Sequence, residues 1–89
     1  DETMTTLQLP TIHLNGTSRD GLVDPLVEAY GKLGDAYDSL KQTAPNGRDY
    51  YPQGPAAFEA ARQQHESRLR RVDELRSELE ELINAIQYA

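Results

Sequence analysis

Residues 55–88 read PAAFEAARQQHESRLRRVDELRSELEELINAIQY, and this stretch decides the fold. Its first residue, Pro55, follows Gly54, a pair typical of the cap and first position of a helix. Apolar and small residues then recur at alternating spacings of three and four, with two ionisable residues among them. The members of this pattern are Phe58, Ala61, His65, Arg68, Val72, Leu75, Leu79, Leu82 and Ile86. Such spacing predicts one long helix whose apolar face, including Leu75, packs along another helix.

A first helix is predicted upstream, over residues 18–44. Its apolar positions also alternate by three and four, and they are Val23, Leu26, Tyr30, Leu33, Tyr37, Leu40 and Ala44. Thr17 and Asp20 have the spacing of a capping box, so the helix is expected to begin near Ser18 and to end before Pro45.

Proline and glycine inside this first helix need an explanation. Pro25 lies too deep for the first turn and predicts a kink, unless a short turn precedes a main helix capped by Asp24. Gly31 and Gly34 each cost about 1 kcal/mol relative to alanine in a helix interior. Either another group approaches the backbone closely at these positions, or the helix simply tolerates them.

The pattern as a whole predicts an all-α fold, an antiparallel two-helix hairpin in a single domain, residues 1–89. Residues 7–14 alternate with period two around Pro10, so residues 1–17 are expected to form a short extended arm. Residues 45–54 are rich in turn formers and connect the helices. The second helix would be about 50 Å long against about 35–40 Å for the first. Because one hairpin leaves part of the longer helix without a partner, we expect a helical homo-oligomer.

Composition limits the function. The 89 residues carry a net charge of −6 and contain no cysteine. An acidic chain lacks the basic face that binds a nucleic-acid duplex, and the lack of cysteine excludes disulfides and Cys-based zinc sites. No apolar run approaches the roughly 20 residues that span a bilayer, and no signal-peptide pattern opens the chain. We therefore expect a cytoplasmic protein with no membrane partner.

Four of the five arginines of the long helix lie within ten residues in its middle, and they are Arg62, Arg68, Arg70 and Arg71. His65 and Arg68 also occupy the apolar pattern, where an unpaired charge is costly to bury. Either they face a ligand together with Arg71, or the register shifts to Leu69 and Arg68 lies at the edge with its head in solvent. The acidic stretch that follows is expected to be a solvated face, with pairs such as Glu74 with Arg70 or Arg71.

The first of two turn motifs is HLNGTS at residues 13–18. It places Asn15, Gly16, Thr17 and Ser18 at a helix N-terminus, where free backbone amides and hydroxyls suit an anion or a phosphate. Helix capping alone would also explain the two hydroxyls.

The second turn motif is NGRDYYP at residues 46–52. Arg48 can bind phosphate through two parallel hydrogen bonds, and Tyr50 and Tyr51 can stack on a base, so a nucleotide-like ligand would fit. Alternatively, Asp49 pairs with Arg48 or a backbone amide while the tyrosines hold the loop in place.

The sequence contains few residue patterns that could form a catalytic site. The chain has two histidines, His13 and His65, and it has no metal-ligand spacing, nucleophile elbow or phosphate-binding glycine loop. We expect no enzymatic activity, no metal and no cofactor.

HLNGTS at 13–18, PNGRDYYP at 45–52 and the long helix after them resemble a group of short bacteriophage proteins. The size and layout are similar to those of phage anti-defence sponges of the anti-CBASS and anti-Thoeris type. That resemblance implies a helical oligomer with ligand pockets between protomers, which captures a cyclic nucleotide or cyclic ADP-ribose-like signal without turnover. By the chemistry of the residues themselves, the predicted ligand-binding residues are Asn15, Gly16, Thr17, Ser18, Arg48, Asp49, Tyr50, Tyr51, His65, Arg68 and Arg71. The alternative is a protein-binding inhibitor or coiled-coil adaptor that acts on a host protein.

Overall fold

The computed structural model describes residues 7–88 and contains two long helices, α1 over Arg19–Lys41 and α2 over Pro55–Gln87. Two short 3-10 helices, Gly47–Asp49 and Tyr51–Gln53, lie between them, and residues 7–88 contain no strand. The all-α prediction of two long helices is thereby confirmed for the described part of the chain.

The helices run in opposite directions, as contacts at both ends show. At one end Nε of Arg19 donates to the carbonyl of Ile86 at 3.2 Å, which joins the start of α1 to the end of α2. At the other end Oγ1 of Thr43 lies 3.5 Å from Nδ1 of His65. The first turns of α2 therefore extend past α1, and part of this extra length is covered by the connecting loop, where Tyr50 packs edge-on against Phe58.

The start of α1 follows from a side-chain cap. Oγ of Ser18 accepts the backbone N–H of Gly21 at 3.0 Å, and Asp20 places a negative charge in the first turn. The helix continues through Pro25, whose nitrogen has no proton for the usual bond to the Gly21 carbonyl. The alternative of a main helix that begins at Asp24 is therefore wrong, while a kink at Pro25 stays a prediction.

The end of α1 comes at Lys41, before the predicted end at residue 44. The carbonyl of Leu40 accepts both the backbone N–H of Thr43 at 2.9 Å and its hydroxyl at 2.7 Å. This tight turn satisfies the last carbonyls of the helix and redirects the chain toward Pro45. Gly54 then precedes α2 with φ of 102°, a conformation that favours glycine.

The core lies where α1 begins and α2 ends. Val23, Ile83 and Ile86 are buried there. Partly buried neighbours complete the cluster, and they are Ile12, Leu22, Leu26, Tyr30 and Leu82. Ile12 shows that the segment before α1 packs on the hairpin. The extended course predicted for residues 1–17 stays a prediction, and its residues 1–6 lie outside the described residues.

The face that α2 turns toward α1 is shifted by one residue at three places relative to the prediction. The predicted positions Arg68, Leu75 and Leu82 are replaced by Leu69, Arg76 and Ile83. Arg68 is exposed, and Leu75, predicted to be a core residue, is 45% exposed, whereas Ile83 is buried. The observed face keeps a regular alternation of four and three from His65 to Ile86, the geometry of two helices packed lengthwise.

Arg76 takes a position in this face because its guanidinium has partners on α1. Its Cζ lies 4.1 Å from the ring centroid of Tyr30, and its Nε donates to the Tyr30 carbonyl at 3.2 Å. A cation over an aromatic ring is attracted to the electron-rich face. Gly34 leaves room for the same guanidinium, because a Cβ there would lie 3.0 Å from Nη2 of Arg76. Of the two explanations for the helix glycines, close approach thus holds at Gly34.

A matched pair of substitutions tests this contact. Gly31→Ala is expected to raise the free energy of unfolding by about 0.5–1 kcal/mol, because alanine favours helix and a Cβ at Gly31 meets nothing within 4 Å. Gly34→Ala is expected to gain less, because its methyl group displaces the Arg76 guanidinium. Urea denaturation of both variants measures the difference. Equal gains would show that the Arg76 contact contributes nothing to stability.

Candidate functional site

Two of the predicted site residues, Arg68 and Arg71, line one open groove on the hairpin. The groove has a volume of about 340 Å³ and is lined by Leu40, Arg68, Arg71, Val72 and Leu75. We call it the arginine groove. Leu40 comes from the last turn of α1, and the other lining residues come from the middle of α2. Its floor is therefore aliphatic, and its charged groups are two guanidinium ions on successive turns.

The two guanidinium ions of the arginine groove have no carboxylate partner in the described part of the chain. Within residues 7–88 neither Arg68 nor Arg71 has a carboxylate within 4.0 Å, and the polar partner of Arg71 is the Ser67 carbonyl, 3.3 Å from its Nε. The predicted pairs of Glu74 with Arg70 or Arg71 do not form in this part of the chain. Two positive charges are thus left without compensation beside an apolar floor, although the whole chain is acidic.

Arg62, two turns earlier on α2, shows the opposite arrangement. It contacts Glu59 and Glu66 at 2.6 Å each. The hydrogen bonds from Arg62, with a further one from Gln63, hold the pKa of Glu59 below its ordinary value of 4.5. The same ion pair with Glu59 raises the pKa of Arg62. Within residues 7–88, α2 thus pairs Arg62 with two glutamates but pairs neither Arg68 nor Arg71 with a carboxylate.

His65 lies between the helices and does not line the arginine groove. The side chain is 6% exposed, and its Nδ1 lies 3.5 Å from Oγ1 of Thr43. The Thr43 hydroxyl donates its proton to the Leu40 carbonyl, so a hydrogen bond with His65 requires Nδ1 to be the donor. This geometry gives His65 a role in closing the hairpin beside the groove, through the same turn that ends α1.

The first turn motif contains an internal packing contact as well as the helix cap. The N–H of Gly16 donates to the carbonyl of His13 at 3.1 Å, and the imidazole of His13 covers the glycine. A Cβ at Gly16 would lie 2.7 Å from Nε2 of His13, so a larger residue there would displace the imidazole. Ser18 caps α1, while Asn15 and Thr17 are exposed.

The second turn motif separates its two tyrosines. Tyr50 is half-buried and packs on the ring of Phe58 with centroids 6.4 Å apart, so it holds the loop against α2. Tyr51 is 77% exposed and lines a second, aromatic cleft of about 320 Å³ with Phe58, Gly47, Gly54 and Pro55.

The charged residues of that motif remain exposed. Oδ1 of Asn46 accepts the backbone N–H of Arg48 at 2.9 Å, which fixes the turn. Among residues 7–88, Asp49 forms no ion pair with Arg48, so the predicted pairing of these two side chains is absent there.

The structure therefore brings together some predicted site residues and separates others. Arg68 and Arg71 share a groove, and residues 48–51 cluster at the loop end of the hairpin. Residues 15–18 lie at the opposite end of α1, about 35 Å away by helical rise. One hairpin cannot place the two turn motifs around one small ligand.

No protein-family model, curated protein or solved structure matches this chain. The resemblance to phage sponges consequently stays a hypothesis based on the size and layout of the chain. Neither helix of residues 7–88 has the length and apolarity needed to cross a bilayer. In the same range, His, Asp and Glu side chains form no cluster of three that could hold a metal ion.

Proposed function

We propose that this protein binds a small phosphorylated ligand in the arginine groove and sequesters it without turnover. The observation that carries the proposal is the pair Arg68 and Arg71, which lack carboxylate partners within residues 7–88 and share a groove with an aliphatic floor. A guanidinium ion without a carboxylate partner beside an apolar surface is suited to bind a phosphate, through paired hydrogen bonds that a lysine could not reproduce.

The spacing of the two arginines suits a ligand with more than one anionic oxygen. Residues three apart on a helix have Cβ atoms about 5–6 Å apart, so both guanidinium ions can reach one phosphate or two neighbouring phosphates. The aliphatic floor formed by Leu40, Val72 and Leu75 can pack against a base or a ribose face. Nucleotide signals combine these two chemistries, which supports a cyclic nucleotide or a cyclic ADP-ribose-like molecule as the ligand.

The lining of the groove supports capture and not conversion. Its side chains are leucine, valine and arginine, and arginine keeps its proton at every physiological pH. General acid–base catalysis needs a group that can gain and lose a proton near neutral pH, and the groove lining offers none. Capture without turnover is also the function implied by the resemblance to phage immune-evasion sponges, which would act in the cytoplasm of a host cell.

A second candidate function is that of a protein-binding inhibitor or adaptor. The observation that favours it is Leu75, which is 45% exposed in the middle of α2 between basic and acidic residues. An exposed leucine can join the apolar core of an interface, with the flanking charges at its polar rim.

Thermal unfolding of the full chain with a panel of ligands tests the main proposal. The panel contains cyclic dinucleotides, cyclic trinucleotides and cyclic ADP-ribose isomers, with inorganic phosphate as the control. A ligand at a hundredfold excess over its dissociation constant adds about 2.7 kcal/mol, which raises the midpoint by on the order of 10 °C in a small domain. Chromatography of the ligand released by heat is expected to recover it intact.

Two results would contradict the proposal. If no phosphorylated compound shifts the unfolding midpoint, the ligand proposal is wrong and the protein-binding function is favoured. A shift followed by recovery of a degraded ligand would overturn capture without turnover.

A further inference from the structure

One face of α2 lies beside its contact with α1 and carries an ordered series of side chains, at alternating spacings of three and four. Its members are Arg68, Arg71, Leu75, Glu78 and Leu82, and we call this face the outer strip. Such spacing places all five on one side of the helix. Leu75 is 45% exposed, Leu82 is half-buried at the edge of the core, and the three charged members are exposed.

The outer strip is basic before Leu75 and acidic after it. Arg71 precedes Leu75 by four residues and Glu78 follows it by three, whereas Arg68 and Leu82 lie seven residues to either side. Neither Arg71 nor Glu78 forms an ion pair within residues 7–88. The strip therefore presents an exposed apolar centre between two opposite charges that the hairpin itself does not pair.

This order makes the strip complementary to itself in one orientation. An antiparallel copy centred on Leu75 places Arg71 opposite Glu78 of the second copy, and Glu78 opposite Arg71 of the second copy. Both ion pairs form by symmetry, and the two Leu75 side chains meet on the twofold axis. A parallel copy would place like charges opposite each other, which is unfavourable.

We infer that a second copy of this chain docks antiparallel on the outer strip, with Leu75 at the twofold axis and Arg71 paired with Glu78 of the second copy. The inference goes beyond the ligand proposal, because it concerns self-association and does not require a ligand. In this register Arg68 lies opposite Leu82 of the second copy, so its guanidinium stays available for an anion. Arg71 and Leu75 also line the arginine groove, so a second copy on the outer strip and a ligand held by both arginines exclude each other.

Charge reversal tests the register. Light scattering at micromolar concentration is expected to give twice the monomer mass for the parent chain. Arg71→Glu and Glu78→Arg are each expected to give the monomer mass, because each variant places like charges opposite each other. An equimolar mixture of the two variants is expected to recover the dimer mass, since both pairs in the mixed dimer have opposite charges. Circular dichroism checks that every variant keeps its helical content.

A cysteine placed on the axis gives an independent measurement. The chain contains no cysteine, so Leu75→Cys introduces one thiol, and mild oxidation is expected to link two copies through it. Glu80→Cys is the control, because residue 80 lies on the other side of α2 and is exposed. Linkage at residue 75 should exceed linkage at residue 80 by about tenfold or more.

The outcomes that overturn this inference differ from those that overturn the ligand proposal. A monomeric parent chain, or single charge reversals that leave the dimer mass unchanged, would contradict the docking register. Equal cross-linking at residues 75 and 80 would do the same. A monomeric parent chain that still binds a phosphorylated ligand refutes only the dimer. A monomeric Glu78→Arg variant, whose arginine groove is unchanged, that binds none of the panel refutes only the ligand proposal.

Discussion

Ile86→Ala is expected to lower the free energy of unfolding by about 3 kcal/mol, within the range of roughly 2–5 kcal/mol for deletion of buried aliphatic groups. Ile86 is 3% exposed and packs in the cluster with Val23 and Ile83. A chain of this size has a total stability of the order of 5–10 kcal/mol, so this single change removes a large part of it. The loss also weakens the closed end of the hairpin, where Arg19 contacts the carbonyl of residue 86.

The matched control is Leu75→Ala, measured by urea denaturation under the same conditions. Leu75 is 45% exposed within one hairpin, so its truncation is expected to cost about 1 kcal/mol or less. Both substitutions are made in the Glu78→Arg background, which removes the contribution of self-association at Leu75. Equal losses at the two positions would show that α2 packs in the predicted register and not in the observed one.

The two helices were predictable because local signals agree along each of them. Thr17 and Asp20 predicted a start of α1 near Ser18, although Ser18 and not Thr17 is the residue that caps the helix. Gly54 with Pro55 marks the start of α2. The end of α1 at Lys41 was not predictable, because it depends on the hydroxyl of Thr43 bonding back to the Leu40 carbonyl. That bond forms at the point where the turn also meets the buried His65.

The register of α2 was harder to predict than its length. Two patterns overlap in the sequence and differ by one residue at three places, and at those places each has two apolar residues and one arginine. The observed pattern places Arg76 in the contact face, where a charged residue is unexpected. It fits because Tyr30 and Gly34 of α1 lie opposite it, a match that no single-helix pattern contains.

The candidate site was only partly predictable for the same reason. Arg68 and Arg71 stood out as a local excess of positive charge, and the interpretation that leaves Arg68 at the edge of the face agrees with its exposure. Leu40 was predicted as an apolar residue of α1, but its position in the groove depends on how the helices align. A signal was present in the charges, since Arg62 has glutamates three before and four after it and Arg68 has neither.

Arg68→Ala is expected to weaken binding of the phosphorylated ligand by about tenfold or more, the usual scale for a lost charge-assisted hydrogen bond. The variant should unfold at the same urea concentration as the parent, because Arg68 is exposed and forms no ion pair within residues 7–88. Isothermal titration calorimetry with the compound that gives the largest thermal shift measures the change.

Arg70→Ala supplies the matched control for this measurement. Arg70 is also exposed and carries the same charge on the same helix, but it does not line the arginine groove. Its removal is expected to change the affinity by less than about twofold, because it alters only the long-range electrostatic field at the groove, which salt screens. If both variants lose the same affinity, binding follows net charge and the groove is not the site. If Arg68→Ala binds as tightly as the parent chain, Arg68 has no contact with the ligand, and the aromatic cleft at Tyr51 becomes the next surface to test.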